Sequence, residues 1–358
     1  TIDGIRLNDD FGLNRSGNPG LANPVSIDAI DQIAVKVADY DVEASQYIGG
    51  NVNIITKSGT NKLHGSGYIY FRNDKFAGDL PNGSKPNLKD STYGATLGGP
   101  IIKDRVFFFM NYEKFTTSTP TNFTPAIAGI STADITSFQN IIKSTYGYDV
   151  GGIQTTNNFD DERLLAKIDA NITNNHRLVL TYTQDKATSS EQQNSSANSF
   201  ALSSGYLNRT RQVQGYSAVL YSSWAPGLST ELLYSHKKAS ENRNPSNDKF
   251  AQFVVSLPGS KTLYSGPNFP FQFNDASNRY DDFKAQARYE FDNHNLQAGY
   301  EYQHFKLINN FILFAPNGYY TFASLADLTA RTATGFTYEN APSGNPADAG
   351  ANWAYSIH

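Results

Sequence analysis

The sequence predicts a mostly β chain that forms part of an antiparallel transmembrane β-barrel, open within this stretch, with a small α+β unit at its N-terminus. The connections between strand-like segments alternate between very short and very long, and the long ones are polar stretches of roughly 15 to 45 residues, well beyond the usual loop lengths. Short turns at one end of the strands and long loops at the other are typical of membrane barrels. The short turns are Lys103-Asp104, Asn174-Asn175-His176, Ala225-Pro226-Gly227 and Asp292-Asn293-His294.

Apolar and polar side chains alternate along the predicted strands, as expected when one face meets lipid and the other is wet. A soluble antiparallel sheet with one solvated face gives the same alternation. Strands of about 10–15 residues, longer than the usual 5–6, and small residues such as Ala285 on the apolar face favour the membrane. The side chains expected to contact lipid are Leu164, Ile168, Leu178, Leu180, Phe283, Tyr289, Leu296 and Tyr300. Those expected to face the lumen are Lys167, Asp169, Lys284, Arg288 and Glu301.

Composition excludes several classes of protein. The chain has 358 residues, a net charge of −4 and 17% charged residues, so no basic nucleic-acid surface is expected. No apolar run approaches the roughly 20 residues that a membrane helix needs. The absence of cysteine excludes disulfides, thiolate metal sites and cysteine nucleophiles.

Nine strands are predicted, and a tenth begins near Asn352 and is cut off at His358. Bacterial barrels usually have even strand numbers, and Thr1 is not a natural start, so we expect a piece of a longer protein. The predicted strands span about 62–74, 91–102, 105–117, 162–173, 176–188, 209–224, 228–241, 279–291 and 294–309.

The first sixty residues follow a different pattern. Pro24–Asp31 reads as a short helical turn with Ser26 as its N-cap, and Gln32–Val37 reads as a strand. A tight turn is predicted at Gly49-Gly50, before a second strand at Asn51–Lys57. We expect Ser58–Asn61 to be a flexible link to the first long strand.

Three motifs make a resemblance specific: SIDAIDQIAV from Ser26, GGNVNIITKSGTN from Gly49 and LGGPIIKDRVFFFMNYE from Leu97. Together they resemble TonB-dependent outer-membrane receptors, and in particular their Oar-like branch. The resemblance implies that residues 1–60 are the C-terminal part of a plug domain and that residues 61–358 are the N-terminal portion of the barrel. A barrel of about eight strands is filled by its own side chains, so a plug requires a larger one, such as the family's barrel of about 22 strands.

The resemblance implies TonB-dependent active transport of an extracellular ligand across the bacterial outer membrane. Energy would come from the TonB-ExbB-ExbD complex through a segment before Thr1, and outer-membrane lipid would surround the barrel. The sequence leaves the ligand open. An outer-membrane surface protein or adhesin without transport is the alternative, although an adhesin needs no domain inside the lumen. A soluble β-rich enzyme is a third hypothesis, but no catalytic motif is present, and we expect no enzyme activity and no cofactor.

Few residues stand out as ligand contacts. Tyr264, Phe269, Phe271 and Phe273 lie in a long aromatic loop that could contact ligand, or pack on the rim of its own barrel. Three groups could in principle bind metal, but turn residues and solvated loop charges are the favoured interpretation. These groups are His176 with His294, Asp9 with Asp10, and Asp160-Asp161-Glu162.

Overall fold

The computed structural model describes residues 1–9, 20–37, 50–76, 78, 89–245, 250–314, 316–345, 348 and 351–357. Asp10 and Gly49, which the sequence singled out, lie outside these residues. The strands, in chain order, are β1 (Ile30–Lys36), β2 (Asn51–Thr56), β3 (His64–Asn73), β4 (Lys89–Ile102), β5 (Val106–Pro120), β6 (Thr156–Thr173), β7 (His176–Glu191), β8 (Ser199–Ala201), β9 (Leu207–Ala225), β10 (Leu228–Pro245), β11 (Gln252–Leu257), β12 (Lys261–Ser265), β13 (Phe273–Phe291), β14 (His294–Ile312), β15 (Tyr319–Phe322), β16 (Gly335–Thr337) and β17 (Ala351–Ile357).

Helices are few in the part of the chain that the structure describes. The α-helices are α1 (Thr132–Tyr146) and α2 (Leu325–Ala330). Short 3-10 helices occupy Ile27–Ala29, Asp74–Phe76, Ser203–Gly205 and Phe269–Phe271. Among the described residues, no helix has the length and apolar character needed to cross a membrane.

Ten of the described strands form one sheet in the order β17-β14-β13-β10-β9-β7-β6-β5-β4-β3. Every neighbouring pair is antiparallel. The four short turns join β4 to β5, β6 to β7, β9 to β10 and β13 to β14. Because neighbouring strands run in opposite directions and the four turns follow every second strand from β4 to β14, all four lie at the same end of the sheet. The predicted fold class is confirmed: all ten predicted strands belong to this sheet, which is not closed within the chain.

Strand register divides the sheet into two different faces. Ile168 pairs with Leu180, and both are exposed. The alternate residue Lys167 is buried on the opposite face. All eight side chains expected to contact lipid share the face of Ile168, which we call the outer face. The inner face, which carries Lys167 and Asp169, is polar and covered near its centre by residues from the N-terminal segment, residues 1–60.

The N-terminal segment contains a two-stranded antiparallel sheet of β1 and β2. Ser26 caps the 3-10 helix that leads into β1, as the sequence predicts. The link at 58–61 contacts the sheet at both of its ends, and its flexibility stays a prediction. The side-chain oxygen of Asn61, Oδ1, accepts from Asp104 N at 2.8 Å. A Cβ added to Gly59 would lie 2.7 Å from the carbonyl oxygen of Gly99, so the backbone passes close against the sheet.

Four of the long connections fold together, which the sequence analysis did not predict. They supply β8, β11, β12, β15 and β16, which form a mixed five-stranded sheet in the order β16-β15-β11-β12-β8. Helix α1 places Ile135, Phe138 and Ile142 in its core, together with Val255 and Leu263. The signals for α1 are present in the sequence: Ser131 caps Asp134 N at 3.1 Å, and Gly147 ends the helix with φ 72°. We call this unit the loop domain.

We predict that the two faces tolerate a new charge differently. Ile168→Lys places an ammonium in the bilayer and should destabilise the folded protein, lowering its free energy of unfolding by roughly 2–4 kcal/mol. Asn171→Lys, close to the short turn, should cost little. Urea titration of the full-length protein refolded into lipid vesicles measures both values. Equal destabilisation by the two variants would contradict the assignment of the outer face to lipid.

Candidate functional site

The candidate site is the contact between the N-terminal segment and the inner face. An apolar cluster forms its base, where Ile2, Val25 and Ala29 of the segment are buried with Phe109 of β5 and Leu165 of β6. Apolar contacts are not directional, so this cluster holds the segment against the sheet without setting its orientation. The polar contacts around it then set its orientation.

Asp3 and Lys167 form the central polar contact. Their side chains are 7% and 5% exposed, and Lys167 Nζ lies 3.3 Å from Asp3 Oδ1. Lys167 Nζ also donates to the carbonyl oxygen of Thr56 at 3.0 Å. Asp3 accepts from Thr56 N at 3.1 Å and from the Thr56 hydroxyl. Both charges therefore have partners, which is the condition for burying an ion pair without a large penalty.

Local backbone geometry presents Asp3 to the sheet. Asp3 and Gly4 both have positive φ, at 44° and 83°, a combination typical of a tight type I′ turn. Ile2 N donates to Ile5 O at 2.9 Å, and Ile5 N donates to Ile2 O at 2.8 Å. Ser217 of β9 donates to the Asp3 carbonyl oxygen at 2.8 Å. The turn therefore projects a short acidic side chain at the base of the inner face.

A second contact is centred on Glu113 of β5. Its Oε2 accepts from the Ser26 hydroxyl at 2.7 Å and from the Tyr68 hydroxyl at 2.6 Å. Its other oxygen accepts from Arg163, which also pairs with the fully buried Asp161. Ser26 therefore has two functions, since it caps the 3-10 helix and also joins it to the inner face.

Further contacts hold both ends of the segment. Arg6 donates to the Tyr280 hydroxyl at 3.0 Å, and its guanidinium carbon lies 4.9 Å above the ring of Tyr280. Lys237 donates to the Asn8 carbonyl oxygen at 2.7 Å. At the other end, the hydroxyl of Ser58 lies 3.5 Å from Asp169. The segment is thus joined to strands from β5 to β13.

A polar cavity of 330 Å³ lies near the long-connection ends of β5, β6 and β7. Its lining is rich in Asn, Gln, Ser and Thr, with Phe123 and Phe159 as its aromatic members. Gln192 connects two loops here, since its Oε1 accepts from Phe123 N at 3.2 Å and its Nε2 donates to Phe123 O at 2.8 Å. The volume is at the low end of the roughly 300–1,000 Å³ typical of small-molecule sites.

The expected lumen-facing residues fall into two groups. Lys167 and Asp169 contact the N-terminal segment, and Asp169 also accepts from Arg177 Nε at 2.8 Å. The other three lie on the same face in β13 and β14. Lys284 and Glu301 are half-buried and Arg288 is exposed, and Glu301 accepts from Gln303. That these five side chains line a transport path stays a prediction.

The four aromatic candidates lie apart from the polar cavity. Phe269 stacks on Phe314 with ring centroids 4.7 Å apart, and the Arg243 guanidinium carbon lies 5.3 Å above the ring of Phe271. Tyr264 lies in β12, where burial raises the pKa of its phenol, and Phe273 begins β13. These rings pack within the chain, as the alternative interpretation held, and their contact with a ligand stays a prediction.

Metal binding has no cluster to support it within the described residues, where no group of three or more His, Asp or Glu is placed to hold an ion. His176 and His294 are the first residues of β7 and β14. Their rings pack against Trp224 and Phe291, which gives them a structural role beside the short turns.

Sequence reasoning missed most residues of the site, among them Asp3, Thr56 and Glu113. The partners are remote, since Asp3 and Lys167 are separated by 164 positions. A usable signal existed for Glu113, because alternation along β5 places it on the same face as Phe109.

Comparison with known proteins places this geometry in context. Residues 55–150 match the family described as outer membrane beta barrel domain. The TonB-dependent transporter Oar of Myxococcus xanthus is 31% identical over 121 residues, which cover 31% of this chain and 11% of that protein.

Two solved structures share the fold. The outer membrane transporter YddB from Escherichia coli aligns with a TM-score of 0.65 at 10% identity, covering 94% of this chain and 41% of that one. The siderophore receptor PirA from Acinetobacter baumannii aligns with a TM-score of 0.50 at 16% identity, covering 78% of this chain and 35% of that one. The chain thus spans less than half the length of these proteins. The resemblance to TonB-dependent outer-membrane receptors is confirmed, as is the location in the bacterial outer membrane.

We predict that breaking the Asp3–Lys167 pair loosens the N-terminal segment. Lys167→Met leaves the Asp3 carboxylate buried without its opposite charge, which typically costs about 3–5 kcal/mol. The urea midpoint for protease protection of residues 1–60 in the full-length protein measures the loss.

Two variants control this experiment. Lys284→Met removes a half-buried lysine from the same face and should change the midpoint little. Adding Asp3→Asn to Lys167→Met should recover part of the loss, because no unpaired charge remains. A Lys167→Met midpoint equal to that of Lys284→Met would contradict the role of the pair.

Proposed function

We propose that this protein is a TonB-dependent transporter that moves a ligand across the bacterial outer membrane through a plugged β-barrel. In this proposal residues 1–60 are the C-terminal part of the plug and residues 61–358 are the N-terminal portion of the barrel. No catalytic step is required. The observation that carries the proposal is the attachment of residues 1–60 to the polar inner face through Asp3, Lys167 and Glu113.

The chemistry of this contact suits a removable closure. It combines a small apolar cluster with the Asp3–Lys167 ion pair and hydrogen bonds, and water can take over the hydrogen bonds when the segment shifts. A plug held only by a large apolar core would resist displacement, because each exposed methylene would cost roughly 0.8 kcal/mol. The remaining inner-face charges, such as the Arg211–Glu241 pair, stay on the wall and would keep an opened path wet.

Energy would come from the TonB-ExbB-ExbD complex, acting on a segment before Thr1. Force on that segment would pull first on Ile2 and Asp3, since they are the nearest residues that contact the inner face. The ligand would enter from the end that carries the long connections, where the polar cavity lies. Neutral Asn, Gln, Ser and Thr side chains dominate its lining, and Glu191 is its charged member, so the cavity would suit a polar ligand that carries no negative charge.

An adhesin without transport is the competing function. It is compatible with the sheet and with the loop domain, but a segment fixed inside the sheet contributes nothing to adhesion. The two functions differ in whether this segment moves when the cell is energised.

We predict that energised cells expose Thr183, which is buried on the inner face near Ile5. In a Thr183→Cys variant of the full-length protein, a membrane-impermeant maleimide should label the thiol faster in respiring cells in complex medium than after a protonophore. Displacement of the segment is the physical reason. Mass spectrometry of the purified protein measures the labelled fraction.

Thr136→Cys is the matched control, because Thr136 is exposed on α1, away from the polar cavity, and its thiol should label equally in both conditions. A Thr183→Cys labelling rate that is the same with and without the protonophore would favour the adhesin.

A further inference from the structure

Three basic residues form one row on the outer face, at the long-connection end of the sheet. Lys238 of β10 lies directly opposite Arg279 of β13, and Arg279 lies directly opposite Lys306 of β14. All three side chains are exposed. Since neighbouring strands are about 4.8 Å apart, the row places three positive charges within roughly 10 Å.

The rows below this one follow the order of a membrane interface. An aromatic row lies four residues from the basic row, on the side of the short turns. In it, Tyr234 is opposite Phe283 and Phe283 is opposite Tyr302. Aromatic rings of this kind are enriched where the hydrocarbon meets the headgroups. The basic row therefore lies on the headgroup side of the aromatic row.

Strand length gives the same position. Arg279 is twelve residues from Phe291 at the short-turn end of β13, which is roughly 40 Å at about 3.3 Å per residue. For a strand tilted by about 45°, this corresponds to roughly 28 Å along the membrane normal, just beyond an apolar band about 25 Å tall.

No contacting carboxylate balances the charge of this row within the described part of the chain. Like charges directly opposite each other on neighbouring strands are destabilising. Among the residues that the structure describes, no ion pair joins any of the three to a carboxylate. The acid in the adjacent row, Asp281, accepts instead from the Tyr234 hydroxyl at 3.0 Å, and its Oδ1 lies 2.7 Å from Nδ1 of His236.

The contrast with the other side of the sheet is informative. Lys186 is also exposed on the outer face, but it lies directly opposite Glu162. Glu162 in turn accepts from Lys114 at 2.8 Å. On β5, β6 and β7, then, basic residues come with an acid, whereas the row on β10, β13 and β14 has none.

We propose that Lys238, Arg279 and Lys306 bind the phosphates of a lipid A headgroup in the outer leaflet of the membrane. Phosphate oxygens accept strong charge-assisted hydrogen bonds from Arg and Lys, and Arg binds them through two parallel donors. The row faces lipid at headgroup height, so the occupant is a membrane lipid. Its span of roughly 10 Å suits a headgroup that carries two phosphates.

Thermal unfolding of the full-length protein in a non-ionic detergent tests this site. A ligand that binds only the folded state raises Tm. Purified bisphosphorylated lipid A should raise the Tm of the natural protein. It should leave the Tm of a triple variant, Lys238→Gln with Arg279→Gln and Lys306→Gln, unchanged. Without lipid, the triple variant should unfold at the same temperature or higher, because like-charge repulsion is removed.

A charge-matched control removes two lysines and one arginine elsewhere: Lys103→Gln, Arg105→Gln and Lys186→Gln, all exposed positions. Its Tm should rise with lipid A as much as that of the natural protein. If the triple variant fails to fold, the single variant Arg279→Gln is tested instead, and lipid A should raise its Tm by no more than half as much as that of the natural protein.

Three results would overturn the proposal. The first is an equal rise for the natural protein and the Gln variants of the row. The second is an equal rise with lipid A stripped of its phosphates, which would assign the effect to acyl-chain packing. The third is an equal rise with inorganic phosphate at the same concentration, which would make the row a site for free anions.

Discussion

The buried contact between Asp3 and Lys167 is the interaction on which the arrangement of this protein depends. A lysine in the middle of a membrane strand needs a partner, and the Asp3 turn and the Thr56 carbonyl oxygen supply the contacts of Lys167 Nζ among the described residues. The Asp3 turn in its buried position needs polar partners for its carboxylate and its carbonyl oxygen, and Lys167 and Ser217 supply them. Each side therefore satisfies the other. The position of residues 1–60 follows from this mutual requirement, together with the small apolar cluster beneath it.

The asymmetry of the sheet has one physical origin, since a strand places successive side chains on opposite faces. On β6 this separates Ile168 from Lys167 and Asp169, and register carries the division across the neighbouring strands. The outer face can then be apolar in its middle and basic at headgroup height, while the inner face holds charges for the N-terminal segment. One chain thus meets lipid, a charged headgroup and a polar domain without conflict.

The main sheet could be predicted from the sequence because its information is local. Alternation and short turns gave hairpins such as the one around Asp292, and observed strand ends differ mainly where long strands extend toward the loops. The site depends on remote partners, and no local pattern pairs Asp3 with Lys167 or Ser26 with Glu113. The loop domain was missed for a related reason. Its core joins Phe138 to Val255 and Leu263 from different connections, so the burial of these side chains depends on remote partners even where the end signals of α1 are local.

The central claim is that residues 1–60 close a path along the inner face, and a disulfide tests it most directly. A Cβ added to Gly215 would lie 2.7 Å from Cγ2 of Ile5, so Ile5→Cys with Gly215→Cys should form a bridge between segment and wall. The chain has no other cysteine. Leu180→Cys with Ala218→Cys links paired wall positions and serves as the control.

The measurement is the conductance of the full-length protein in planar bilayers. A few molar urea is added, because elements of low local stability unfold before the barrel does. The account predicts that urea opens the natural protein and the control reversibly, and that the bridged protein stays closed until a reductant is added. Equal opening of the bridged and reduced forms would contradict it.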